Sequence, residues 1–587
     1  MNLLVIIFIL SVIGYYLVFM HFFKEYIGIF PLLFISGSVL IVFLHGCFEA
    51  LVIGFCIVVL CGLACLIIST MMLLNKKFTI SWRDIISPMF ILMLIGGIWA
   101  WFLSRGIKPS HFDDFSHWLR ICKIMNSDLE YPRYSDCVFP TYVPGTATWI
   151  FILTRVIGYS PENCYFAQML LNLAAVCSLT IIIRSDDSLC KKTVFLIAIG
   201  VVSVFICDMD LTTYSLLVDG VLALTASALL VFILEIRQKV IKPKYWVPIL
   251  VISSFVSLIK ASGILFVLFN ALAIYFLYAT DKPKTKRVSW LYITPAVMIL
   301  LGYMLQKLYL FRMKIVYGDD FVSQSFGSAE LYTILLEYWE PERYVGIIKR
   351  FLHECFIIDE AYSQIKMLWF CLLLIWILNI VNIFKKRRDS LLICLGIYLP
   401  VISGVYLLGL MVTYFTFDPM EANENVLACF YRYVGSLTIM SVFASVYYLL
   451  SVLKSFEYNK LKDYIHFFIV IIAFIFTCFV AGFDPFYIAG FEYYHPLEVY
   501  TMDVWKYLET NYEERWEYNN DIYVIMVDVD NKGFDNYHKL SHALTTFFRS
   551  YYCVVQDIKD ESPIIERIRQ INDLGENNNV HFINYYD

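Results

Sequence analysis

The sequence predicts an α-helical polytopic membrane protein that ends in a small α/β domain. Three observations carry this reading. The 587-residue chain is 60% hydrophobic and only 16% charged, where a soluble domain carries about 25% charged residues. Apolar runs of about eighteen residues or more recur along it, long enough to cross a hydrocarbon core of about 30 Å, and they lack the alternation of barrel strands. The Lys/Arg clusters fall in alternate connections between these runs, as a fixed orientation in a bilayer requires.

Taken in order, about fourteen segments qualify as spans: 3–20, 27–44, 48–74, 85–103, 163–183, 194–207, 216–235, 246–259, 261–279, 288–310, 366–384, 391–415, 433–453 and 464–483. The first has no basic leader and no small-residue cleavage site, and reads as a retained span. Lys76, Lys77 and Arg83 follow the third span; Arg184, Lys191 and Lys192 follow the fifth. Arg237, Lys239, Lys242 and Lys244 follow the seventh, and Lys282, Lys284, Lys286 and Arg287 the ninth. Lys385-Lys-Arg-Arg388 follows the eleventh; Lys454, Lys460 and Lys462 follow the thirteenth. All these clusters then share one face, which makes that face cytoplasmic. Residues 146–158 are apolar but short, and are expected to form a re-entrant or interfacial helix.

This arrangement divides the chain into N-terminal helices (1–84), a transmembrane module (85–483) with outer loops 104–162 and 311–365, and a tail (484–587) on the extracytoplasmic side. In the tail, strand-like runs at 521–528, 551–555 and 580–584 alternate with helical stretches at 496–516, 537–550 and 563–574, the pattern of a partly parallel α/β domain. It lacks a Gly-rich phosphate loop. The net charge of −5 gives no sign of nucleic-acid binding. The 16 cysteines are scattered without a paired C-x-x-C and read as buried thiols. Cys122 and Cys137 share one outer loop and could bridge.

The chemistry concentrates after the fourth span, in His111-Phe-Asp-Asp-Phe-Ser-His-Trp118. Two adjacent carboxylates at an apolar lip raise one another's pKa. Asp113 or Asp114 can deprotonate an incoming hydroxyl while its neighbour orients it. The pair would also suit a divalent cation together with His111 or His117. The plainer alternative makes Asp113 the N-cap of a helix starting near Phe115, with Asp114 favoured by the helix dipole. A second cluster, Phe139-Pro-Thr-Tyr-Val-Pro-Gly145, returns the chain to the membrane and offers Tyr142 as a stacking surface. Charges near the ends of apolar runs are costly and default to functional candidates. They are Asp219, Lys260 in Ser257-Leu-Ile-Lys260, and Arg432 after the acidic stretch 421–425. Lys260 and Arg432 could clamp a lipid-linked phosphate, or simply snorkel to the interface.

These segments resemble the GT-C superfamily of membrane glycosyltransferases. Asp113-Asp-Phe-Ser-His-Trp118 is similar to an Asp-Glu-aromatic-x-x-Trp form of bacterial members, and Tyr142-Val-Pro-Gly-Thr146 to their second loop motif. Ser257-Leu-Ile-Lys260 and Cys429-Phe-Tyr-Arg-Tyr433 also look like family segments. The resemblance covers roughly residues 85–483. It implies a GT-C-like fold and a sugar donor on a polyprenyl phosphate or pyrophosphate, used on the outer face of the plasma membrane. It further implies direct inverting transfer to a glycan, lipid or protein, with the first loop acid, here Asp113, as base. Asp114 stands where the commonest bacterial form has Glu, and its side chain is one methylene shorter. His117, Trp118, Tyr142, Asp219, Lys260, Arg432 and Tyr433 become substrate-binding candidates. No cofactor is required, though a divalent cation fits the acids. The rival classes are a transporter or flippase of lipid-linked glycans, which would show duplicated halves or paired broken helices, and a glycan polymerase or ligase.

Overall fold

The computed structural model describes residues 3–76, 85–105, 107, 113–132, 141–184, 186–209, 215–237, 243–280, 289–317, 340–357, 362–386, 389–417, 422–454 and 461–483, and three tail strands. It is a helical bundle, and each of the predicted spans is helical. The N-terminal helices are α1 (Leu3–Phe23), α2 (Phe30–Gly46) and α3 (Leu51–Leu74). Next come α4 (Pro88–Ser104), the short α5 (Leu119–Ser127), α6 (Gly145–Ile157) and α7 (Pro161–Val176). They are followed by α8 (Leu189–Met209), α9 (Asp219–Glu235), α10 (Trp246–Ile259), α11 (Gly263–Thr280) and α12 (Ser289–Tyr317). The rest are α13 (Pro341–Phe356), α14 (Ser363–Phe384), α15 (Ser390–Tyr414), α16 (Phe430–Leu453) and α17 (Leu461–Ala481).

Among the described residues, 8 stretches are long and apolar enough to cross a membrane, and the first, Leu3–Gly46, runs through both α1 and α2. The expectation of about fourteen spans therefore finds its helices, but several are short: α4, α10, and the apolar parts of α11 and α17. α9 has 17 residues and is buried along nearly its whole length. A helix wrapped by protein on every side need not match the bilayer thickness as one facing lipid must.

Local chemistry sets the helix starts. Ser87 and Ser160 cap α4 and α7 by accepting from Phe90 N and Asn163 N, each with proline at the first helical position. Asp389 caps α15 by accepting from Leu391 N and Leu392 N. Where α1 crosses α3, Gly14 faces Gly62, and a Cβ on either would collide with the other helix. Small residues let membrane helices approach this closely.

α9 and α16 pack against each other at the centre, and α16 is also buried along most of its length. α6 has only 13 residues, about 20 Å at 1.5 Å per residue, shorter than the hydrocarbon core of about 30 Å. It is buried among α2, α5 and α7. α2 lies along α10 and α6, which docks the N-terminal helices onto the rest of the bundle.

One end of the bundle gathers basic connections. Lys191 Nζ donates to Lys454 O at 2.8 Å, Lys454 pairs with Glu235, and Lys244 Nζ donates to Phe22 O. Three of the Lys/Arg clusters thus meet at one end, as their alternation requires.

The tail strands β1 (Ile522–Val527), β2 (Tyr551–Val554) and β3 (Val580–Tyr585) form a parallel sheet in the order β2-β1-β3. They coincide with the three strand-like runs. The helices expected between them lie outside the described residues, as do His111 and Cys137. Cys122 is a free, buried thiol.

Candidate functional site

At the end opposite the basic connections, four charged side chains from four separate turns form one chain of ion pairs. Arg432 NH1 lies 3.1 Å from Asp113 Oδ2, and Arg432 Nε lies 3.4 Å from Asp219 Oδ2. Lys260 Nζ lies 2.6 Å from Asp219 Oδ1. The side chains keep partial access to solvent: 27% for Asp113, 20% for Lys260, 13% for Arg432 and 9% for Asp219. The tether to lipid or interface that snorkelling would give Lys260 and Arg432 is replaced by specific carboxylate partners.

The helices explain these positions. Asp219 opens α9, where the helix dipole favours an acid. Arg432 lies in the first turn of α16, where the same dipole disfavours a cation, so the two carboxylates compensate it. Cys429, just before α16, holds a left-handed conformation with φ 57°, a strained one for a residue with a side chain. Lys260 is the C-cap of α10. Gln306 of α12 donates to the carbonyls of Ser257, Lys260 and Ala261, and so seals that helix end. Ser436 Oγ donates to Asp219 O, and Tyr406 OH to Tyr433 O.

Asp113 precedes a π-helical turn, Asp114–Trp118, and makes no side-chain cap bond to it. Such turns often occur at functional sites. The simple capping role for Asp113 is thus replaced by its bond to Arg432. Asp114 is fully buried. Its two oxygens accept from Tyr165 OH of α7 and from Leu216 N, both at 2.8 Å. Burial pushes its carboxyl up to about 7, against the pull of these two donors and with a further push from Asp113. Gln168, one turn on from Tyr165, donates to the carbonyls of Ser215 and Leu217. Asp114, Tyr165 and Gln168 together hold the turn that leads into α9 and Asp219.

His117 and Trp118 are buried. Their rings pack edge-on and tilted against Tyr142, with centroids 5.1 and 6.0 Å away. Burial holds His117 down to about 3, so its ring is neutral near pH 7. These two expected substrate contacts thus pack against a third, Tyr142. Burial raises the Tyr142 phenol, which also feels Lys260, Asp113 and Asp219, so Tyr142 borders the charge cluster. Tyr433 does too, its ring 5.2 Å from Lys260 Nζ. Among the described residues no group of three or more His, Cys, Asp or Glu side chains is disposed to hold a metal ion.

The sequence reading missed Tyr165, Gln168, Gln306, Tyr406 and Ser436. The two amides carried a usable signal, since a neutral polar residue in an apolar span is also costly unless bonded.

The fold and this site define a polytopic helical membrane protein with a charged, partly open site at one end of the bundle. No protein-family model matches the chain, and no curated protein does. It is similar to the solved structure of ArnT from Cupriavidus metallidurans bound to undecaprenyl phosphate, with 12% identity and a TM-score of 0.42 over 84% of this chain and 89% of that one. For the apo state of the same protein the values are 12% and 0.40, over 82% and 88%. These scores describe a loose likeness of helix arrangement and say nothing of the site's chemistry.

Proposed function

We propose that the chain is a GT-C type membrane glycosyltransferase that moves a sugar from a polyprenyl-phosphate-linked donor to a glycan, lipid or protein acceptor on the extracytoplasmic face. One observation carries the reading: Asp113, Arg432, Asp219 and Lys260 meet in a single partly open cluster although they come from four distant turns. A polyprenyl donor keeps its chain in lipid and its phosphate at the interface. Two cations held by two carboxylates at the end of a membrane bundle, bordered by two aromatic rings, suit that geometry.

The reaction needs a base for the acceptor and countercharge for the leaving phosphate. Asp113 takes the acceptor hydroxyl's proton as its oxygen bonds to the anomeric carbon. The bond from that carbon to the phosphate oxygen breaks, and the electron pair leaves on the phosphate. Lys260 and Arg432 meet the charge so formed. Lys has three donors and Arg five, so both keep donors beyond those engaged by Asp219 and Asp113. In the resting arrangement Arg432 also occupies Asp113. An arriving phosphate competes for the guanidinium and leaves Asp113 open to the acceptor. Asp219 holds the two cations together, and Asp114 positions the loop from behind. Tyr142 and Tyr433 offer flat faces to the sugar.

The test is transfer by the purified chain in detergent from a panel of polyprenyl-phosphate sugars, with no membrane gradient present. Transfer is expected with the unmodified chain and is expected to vanish with Asp113→Asn, while expression and folding persist. Full activity of Asp113→Asn would remove the base assignment. Movement of lipid-linked sugar across vesicles without any transfer would favour a flippase.

A further inference from the structure

The hairpin of α14 and α15 turns at the end of the bundle far from the charged site. Its turn reads Lys385-Lys-Arg-Arg388. A groove of about 400 Å³ opens between the two helices, lined by Trp376, Asn379, Ile383, Asp389, Ile393 and Ile397 among others. That volume lies within the range of small-molecule sites, about 300–1,000 Å³.

The walls are apolar and outward-facing: Trp376, Ile383 and Ile397 are exposed, and in two membrane-crossing helices such surfaces meet acyl chains. The polar groups of the floor are already bonded. Trp376 Nε1 donates to Gly396 O at 3.1 Å, and Asn379 Nδ2 to the carbonyls of Ile375 and Leu392. Asp389 accepts from Leu391 N, Leu392 N and Tyr448 OH. The groove therefore offers a ligand a greasy channel rather than free hydrogen-bonding groups. Its rim is cationic, because Lys385 and Lys386, between the lining residues Ile383 and Asp389, are exposed.

We propose that this groove holds one anionic phospholipid from the leaflet at that end, with an acyl chain along the isoleucine wall and its phosphate on Lys385 and Lys386. Basic clusters at the ends of membrane helices attract anionic headgroups, whereas a zwitterionic headgroup brings an ammonium toward the two lysines. A second copy seated here across a two-fold axis would bring two such turns together, and like charge opposes that packing.

The experiment is native mass spectrometry of the delipidated full chain titrated with phosphatidylglycerol or with phosphatidylcholine of the same acyl chains. One phosphatidylglycerol should be retained in preference to phosphatidylcholine. Lys385→Gln with Lys386→Gln should weaken that retention about tenfold. Ile393→Trp, at a half-exposed wall position, should block both lipids while the unfolding temperature holds. Equal retention of the two lipids by the unmodified chain overturns the proposal, as does a preference that survives both sets of substitutions. A dimer that dissociates in Ile393→Trp, with no lipid retained, also overturns it and makes the groove an interface between copies.

Discussion

Asp113 reaches across the site to Arg432, while Asp114, one residue on, is sealed between α7 and the turn before α9. The two should fail differently when changed. Asp114 has its folded pKa raised from 3.8 to about 7. The linked stability is present in full below the unfolded pKa and is lost as pH rises through the folded one. The unfolding temperature of the unmodified chain, relative to Asp114→Asn, is therefore expected to fall between about pH 4 and about pH 7 and then level off. A difference that stays flat across that window would show that Asp114 does not titrate there. Arg432 and Lys260 lead to a kinetic expectation. Losing a charge-assisted bond to a phosphate costs about 1.5–3 kcal/mol, so Arg432→Ala and Lys260→Ala should raise the donor KM roughly ten- to a hundredfold and leave the acceptor KM in place. Arg432→Lys should also be damaging, because the planar fork is lost although the charge remains. A rise confined to the acceptor KM would move both residues to the acceptor side.

At the scale of elements, the loop motif Tyr142-Val-Pro-Gly145 acquires a physical reason. Gly145 begins α6 against the last turn of α10, where a Cβ would collide with the backbone of Leu258. Leu258 lies two residues before Lys260. Gly145→Ala should push α6 away from α10, costing about 1–3 kcal/mol as overpacking does, and should displace Lys260 as well. Expected together are a lower unfolding temperature and a raised donor KM, read by thermal unfolding and by transfer kinetics. A loss of stability with donor use unchanged would mean that Lys260 tolerates the shift. Along the sequence Gly145 only closes the cluster that returns the chain to the membrane; its contact with a helix more than a hundred positions later is not visible there. The same holds for Gln168 and Gln306, whose carbonyl partners lie on other helices.

For the whole molecule, two opposed ends are now distinct: charged residues of the candidate site at one, basic connections at the other. The bias of Lys/Arg toward the cytoplasm predicts that the second end faces inside and that the tail beyond Phe483 faces outside. Asn425→Cys, in the turn before α16, should react with a membrane-impermeant thiol reagent on intact cells, and so should a cysteine placed in the tail. Lys385→Cys should react only after lysis. The reverse pattern would invert the molecule and move the site to the cytoplasm.

Helical segments, their order and the alternation of their charged ends were determined by the sequence alone, because apolarity and the cost of charge in lipid belong to each residue wherever it sits. For that reason Asp113, Asp219, Lys260 and Arg432 stood out along the chain. Only the tertiary structure decided that Arg432 joins both carboxylates, one of them 319 positions away. It also decided that Asp114 is a buried tie and that His117 and Trp118 pack against Tyr142. Desolvation and ion pairing are properties of neighbours, and in this bundle the neighbours arrive from helices far apart in the chain.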